Sequence, residues 1–201
     1  MGFITTLIIF LFSAVVHEVA HGVAAEKLGD STARDEGRIT LNPIPHIDPF
    51  GSILLPGLLL MIGSPIVLGA AKPVPVNFNN LRPRKLGMAI VSFAGPLSNF
   101  ILAALLLIPI KFQLITGPVS EIWLQAVLIN IVLGVFNLIP IPPLDGSKII
   151  ASLLPDNAMY WILSMERYGF FLIIIFLMLG VLDKILFPVV KLFFSLFGMS
   201  I

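Results

Sequence analysis

The sequence predicts an all-α polytopic membrane protein: a compact transmembrane helix bundle with a re-entrant segment and a small β-element in the loops on its cytoplasmic side. Three observations carry that prediction. Apolar residues make up 58% of the chain and charged residues 11%, whereas soluble domains are roughly a quarter charged. Mean hydropathy is +1.05, and apolar runs near the ~20 residues that cross a bilayer recur from end to end. The runs are interrupted by only two polar loops, in which short β-prone pieces such as "GRITL" and "KPVPVN" occur.

Taken in order, the first span covers residues 3–28 and includes "FSAVVHEVAHGVAAEKL". It shows no small-residue cleavage site, so it reads as a retained helix and not a signal peptide. A polar loop follows over 26–50. The next segment, 51–71, scatters Pro56, Gly57, Gly63, Pro65 and Gly69 through barely a span's length of apolar residues. A straight spanning helix rarely has that composition, and Gly63-Ser64-Pro65 suits the turn of a re-entrant hairpin, which membrane depth tolerates when protein surrounds it. In "KPVPVNFNNLRPRK" the prolines at 73 and 75 lack backbone donors, which confines this piece to an edge strand or an extended loop. Spans over 86–110 and 122–140 come next, then a proline-rich loop over 141–150, then a C-terminal span and tail over 159–201. No internal repeat divides the chain, which reads as one membrane-embedded domain over 1–201.

The net charge of +1 and the placement of basic residues in loops give no footprint for nucleic acid. The expected surroundings are the lipid bilayer. There are no cysteines, so any metal must be held by nitrogen or oxygen.

Ionisable groups inside an apolar span are costly and point to function by default. His17, Glu18 and His21 all lie within the first span. The two histidines are four residues apart, so at ~100° per residue they share one helix face, one turn apart, and can present two imidazoles to one cation. Glu18 projects beside them, where a carboxylate can take a proton from an activated water. This is the HExxH arrangement of zinc metalloproteases. Histidines paired within a helix bundle by chance are the bland alternative.

A catalytic zinc usually has three protein ligands and one open position, so a third ligand is needed. The candidates are His46 and Asp48 in "NPIPHIDPFG" and Asp145 in "NLIPIPPLDGSK". Asp145 is best placed, because it follows a span directly and its carboxylate can point back into the bundle. An ordinary turn aspartate before glycine is the alternative there. For His46, a loop histidine bonded to backbone is the simpler reading, against a gate or a second metal contact. The methionines and phenylalanines read as packing or lipid contact.

The pieces "HEVAHG", "NPIPHIDPFG", "AKPVPVN", "AGPLSNF" and "FNLIPIPPLDG", in that order over 14–148, resemble the site-2 protease family of intramembrane zinc metalloproteases. The resemblance implies that His17, His21 and Asp145 ligate one zinc ion (Zn2+) and that Glu18 is the catalytic base. It also implies that Asn137 and Asn99 position the scissile peptide or stabilise the oxyanion. The implied activity is hydrolysis of peptide bonds in or near the transmembrane helices of membrane protein substrates. The chain would be a minimal form, with no room for a PDZ or CBS domain.

A shared metal requires the first span and the span ending near Ile139 to finish toward the same face. That holds if 51–71 is re-entrant and fails if it spans. Under the re-entrant reading one face carries Lys27, Arg34, Arg38, Lys72, Arg82, Arg84, Lys85, Lys148 and Arg167 and the other Lys111, Lys184 and Lys191, nine against three. If 51–71 spans, the split is six against six. Cytoplasmic loops carry the excess of Lys and Arg, so the metal-side mouth is expected to open to the cytoplasm, in a prokaryotic plasma membrane. Two rival functions remain: a divalent-metal transporter, whose polar positions would extend along facing helices instead of clustering at one depth, and an inactive homologue that only binds membrane helices.

Overall fold

In the computed structural model, which describes residues 2–48 and 71–199, the chain is helical and no strand occurs among the described residues. Three long helices dominate: α1 (Phe3–Lys27), α3 (Arg84–Lys111) and α4 (Pro118–Leu138). Between α1 and α3 lie the single turn α2 (Thr32–Asp35) and a 3₁₀ turn at Ile44–His46. After α4 come α5 (Asp145–Leu153), α6 (Asp156–Ser164), a 3₁₀ turn at Met165–Tyr168, α7 (Gly169–Met178) and α8 (Val181–Leu196).

The long helices have 25, 28 and 21 residues, or roughly 30–40 Å at 1.5 Å per residue. Each is long and apolar enough to cross a membrane. Their outward faces are apolar as well. On α3, Leu86, Ile90, Phe93, Leu97, Ile101 and Leu105 are exposed, spaced three or four apart so that they form one stripe along the helix. A stripe of that size facing water would be an aggregation surface; facing lipid it costs nothing.

Helix α3 is the hub, packing against α1, α4 and α5. The direction of each helix follows from its partners. Arg82 N–H donates to the Leu28 carbonyl at 3.0 Å, which sets the start of α3 beside the end of α1, so the two run antiparallel. Gln125 donates to Thr6 Oγ1 at 2.6 Å and Asn130 to Ser13 Oγ at 2.9 Å, so α4 runs parallel to α1. Ala103, Leu107, Val127, Ile131, Val135 and Phe194 form the largest buried cluster, where α3, α4 and α8 meet. Gly134 lets α4 approach the Phe100 ring, which a Cβ would meet at 3.0 Å.

The loop over 71–82 folds back on the end of α1. Buried Asp30 accepts hydrogen bonds from Thr32 Oγ1, Asn77 N–H and Asn80 Nδ2 at 2.6 to 2.8 Å. Lys72 N–H donates to the His46 carbonyl at 2.8 Å, and Arg38 Nη2 donates to the carbonyls of Lys72 and Pro73. The small β-element expected here does not form among the described residues. Pro73 and Pro75 have no N–H to give a ladder, and the donor between them, Val74 N–H, is taken by a side chain, as described below. The expected re-entrant segment lies, apart from Ala71, outside the described residues. The C-terminal region expected to hold a span and tail is divided among shorter helices, of 10 and 16 residues in α7 and α8, neither of which alone reaches the ~20 residues of a spanning helix.

Candidate metal centre

One turn of α1 separates His17 from His21, and their rings meet edge to face with centroids 4.6 Å apart. Both are buried. Asp145 reaches them from the first residue of α5, 128 positions away from His17. The local sequence explains how. Helix α4 ends at Leu138, the prolines at 140, 142 and 143 cannot continue it, and Leu144 N–H closes a turn onto the Ile141 carbonyl at 2.9 Å. Gly146 completes the reversal, because a Cβ there would collide with the Leu138 carbonyl. Only glycine brings α5 that close to the end of α4.

His17 Nε2, His21 Nε2 and Asp145 Oδ2 stand in a triangle of 3.0, 3.1 and 3.2 Å. The protons on the rings follow from what lies behind them. His21 Nδ1 faces the Val91 carbonyl at 2.7 Å, an oxygen that can only accept, so Nδ1 carries a hydrogen and the neutral ring keeps its lone pair on Nε2. His17 Nδ1 faces Asn99 Oδ1 at 2.6 Å, with the same result. With both rings neutral, three lone-pair atoms converge with no hydrogen between any two of them, an arrangement that a cation among them relieves. Tetrahedral bonds of ~2.0–2.1 Å imply ligand–ligand edges of about 3.3 Å, close to this triangle. Space is left for the ion by Gly95 of α3, where a Cβ would run into Nε2 of both histidines. Among the described residues, His17, His21 and Asp145 are the group able to hold a metal ion.

Glu18 is half-buried beside His17, and its Oε2 accepts from Val74 N–H at 2.7 Å. Asn99 stands behind His17, its Oδ1 facing His17 Nδ1 at 2.6 Å. It is fully buried, and its Nδ2 donates to the Ser13 carbonyl and to Asn130 Oδ1, so no donor is left for a scissile peptide. Asn137 donates to the Leu133 carbonyl one turn back in α4, at 3.0 Å. His46 is buried in its loop with Nε2–H donating to the Thr40 carbonyl at 2.9 Å, apart from the metal group.

Several residues of this site have no motif that announces them. Ser13 and Asn130 are buried behind Asn99, and Asn130 could have been found as a polar residue within the apolar run "VLINIVLG". Lys148 Nζ lies 4.0 Å from Asp145 Oδ1, the oxygen facing away from the histidines, and 3.9 Å from Glu166 Oε1. Val74 acts through its backbone, which no side-chain pattern reports.

The family model for peptidase family M50 matches residues 110–180, a stretch that includes Asp145. Over 197 residues, 92% of this chain and 85% of the relative, the sequence is 37% identical to the protein named "Putative zinc metalloprotease YwhC" of Bacillus subtilis (strain 168). The chain belongs to the site-2 protease family, peptidase family M50. Other relatives in this family show the same likeness. The protein named Rip2 of Mycolicibacterium smegmatis is 28% identical over 98% of this chain and 76% of its own length. The protein named MJ0611 of Methanocaldococcus jannaschii is 31% identical over 87% of this chain and 82% of its own. No solved structure matches. As a site-2 protease family member with three helices able to cross a bilayer, the chain is a membrane protein.

Proposed function

We propose that this chain is an intramembrane zinc-dependent endopeptidase that hydrolyses peptide bonds in or near the transmembrane helices of membrane protein substrates. The observation that carries the proposal is the triangle of His17 Nε2, His21 Nε2 and Asp145 Oδ2, buried between apolar helices with a glutamate at its side. The names of its relatives support zinc as the metal, and the nitrogen and oxygen donor set suits it. When bound, zinc supplies Lewis acidity toward a peptide carbonyl and toward water.

The chain's own residues do the rest. Glu18 accepts the proton of the attacking water and returns it to the leaving amine. Val74 N–H holds that carboxylate in one rotamer at 2.7 Å. Asn99 and the Val91 carbonyl orient the two imidazoles, so Asn99 has a positioning role and does not touch the scissile peptide. Asn137, half-buried at the end of α4, is the amide left to meet a substrate backbone. The whole acts as one membrane-embedded peptidase unit opening to the cytoplasm. The meeting of His46 and Lys72 supports that topology: the flanks of residues 49–70 sit at the same end of the bundle, as a re-entrant segment requires, and the excess of Lys and Arg lies at that end.

The test is cleavage of a membrane-helix substrate in proteoliposomes by the purified wild type and by Glu18→Gln. The proposal predicts about one zinc per chain in both and a loss of at least ~100-fold in cleavage rate for the variant. Cleavage unchanged in Glu18→Gln, or metal flux across the vesicle without cleavage, would overturn it.

A further inference from the structure

The polar groups behind His17 extend past Asn99 into a buried chain that crosses three helices. Asn99 Nδ2 of α3 donates to Asn130 Oδ1 of α4 at 2.8 Å and to the Ser13 carbonyl of α1 at 3.2 Å. Asn130 Nδ2 donates in turn to Ser13 Oγ and to the Ala126 carbonyl, each at 2.9 Å. Ser13, Asn99 and Asn130 are all at most 2% exposed, inside helices that are otherwise apolar. Three polar side chains at that depth are expensive unless each bond they make is used.

The direction of every hydrogen bond in this chain is fixed by its two ends. An amide group can flip, exchanging its oxygen and nitrogen, unless something makes one orientation costly. The carbonyls of Ala126 and Ser13 can only accept. The first pins Asn130 with its nitrogen toward α4's own backbone and its oxygen toward Asn99. The second, together with that Asn130 oxygen, pins Asn99 with its nitrogen inward, which leaves Asn99 Oδ1 facing His17. Flipping either amide would set nitrogen donor against donor, or oxygen against oxygen, at two contacts at once.

We infer that Asn130 is a positioning residue for the metal centre. Acting through Asn99, together with the Ser13 backbone carbonyl, it forces His17 to carry its proton on Nδ1 and so keeps the Nε2 lone pair turned toward His21 and Asp145. The inference rests on the metal-site reading proposed above and deepens it. His21 is not on this relay, since its tautomer is set directly by the Val91 carbonyl. It therefore serves as an internal control.

The experiment reads the imidazole nitrogens of both histidines by ¹⁵N NMR in metal-free protein in detergent micelles, and zinc affinity by chelator competition, for wild type, Asn130→Leu and Ser13→Ala. In Asn130→Leu, His17 is expected to become a mixture of tautomers while His21 keeps Nδ1–H, and zinc binding to weaken about tenfold, the lower end of the effect of groups behind a metal ligand. Ser13→Ala, which removes the hydroxyl but keeps both pinning carbonyls, should leave both histidines in the wild-type state. His17 holding a single Nδ1–H tautomer in Asn130→Leu would overturn the inference, as would equal disturbance of His17 and His21. Either result leaves the metal-site reading standing, because wild-type zinc binding tests that separately.

Discussion

Val74 N–H donates to Glu18 Oε2 at 2.7 Å, joining the loop after residue 71 to the carboxylate beside the metal centre. Val74 lies between two prolines, so among residues 73–75 its N–H is the only backbone donor. The carboxylate is thereby held by one main-chain group whose own position is fixed by Arg38 on the carbonyls of Lys72 and Pro73.

Replacing Val74 by proline removes that donor and leaves Glu18 free to rotate. A hydrogen bond to a charged group contributes about 1.5–3 kcal/mol, so cleavage by Val74→Pro should fall roughly tenfold or more, with zinc content unchanged. Unaltered kcat alongside unaltered zinc content would remove Val74 from the account.

Gly95 leaves open the space that His17 and His21 face. In Gly95→Ala the added methyl group would meet both Nε2 atoms. Alanine is the better helix former, by about 1 kcal/mol, but a methyl group forced against two rings tethered from behind costs about 1–3 kcal/mol. The variant should therefore retain helix content with at most a modest loss of stability, yet lose bound zinc. Stoichiometric zinc in Gly95→Ala would show that the ion sits elsewhere.

Asp30 ties the end of α1 to the loop that carries Val74. Burial pushes its carboxyl up, but hydrogen bonds from Thr32, Asn80 and Asn77 N–H outweigh burial and hold it below its ordinary value. A carboxyl depressed in the folded state contributes stability in full above its unfolded value of about 4, and loses that contribution as pH falls through the lower folded value. Asp30→Ala should cost about 2–4 kcal/mol at neutral pH, since three donors lose their partner. The difference from wild type should shrink on acidification below about pH 4. Denaturant melts of both proteins at several pH values measure this, and a difference that grows toward low pH would contradict it.

The parts of this site that were legible in the sequence are those set by local spacing. Helical periodicity alone puts His17 and His21 on one face, and Asp145 was approachable because prolines and a glycine must turn the chain just after a span. The position of Asn99 relative to His17 was not legible. The ring has two nitrogens on opposite sides, and the sequence does not say which one an amide from another helix meets. Asn130 and Ser13 have no motif, and only a polar residue in an apolar run marks the first. Short β-prone pieces suggested a small sheet, but strand formation needs consecutive alternate donors, and Pro73 and Pro75 remove them while Glu18 takes the one between.

Zinc titration with a competing chelator on wild type, His17→Ala and Asp145→Ala tests most directly whether three side chains from two distant stretches share one ion. One tight zinc per wild-type chain, weakened more than ~100-fold in each variant, is the predicted result. Zinc bound as tightly by Asp145→Ala as by the wild type would contradict it.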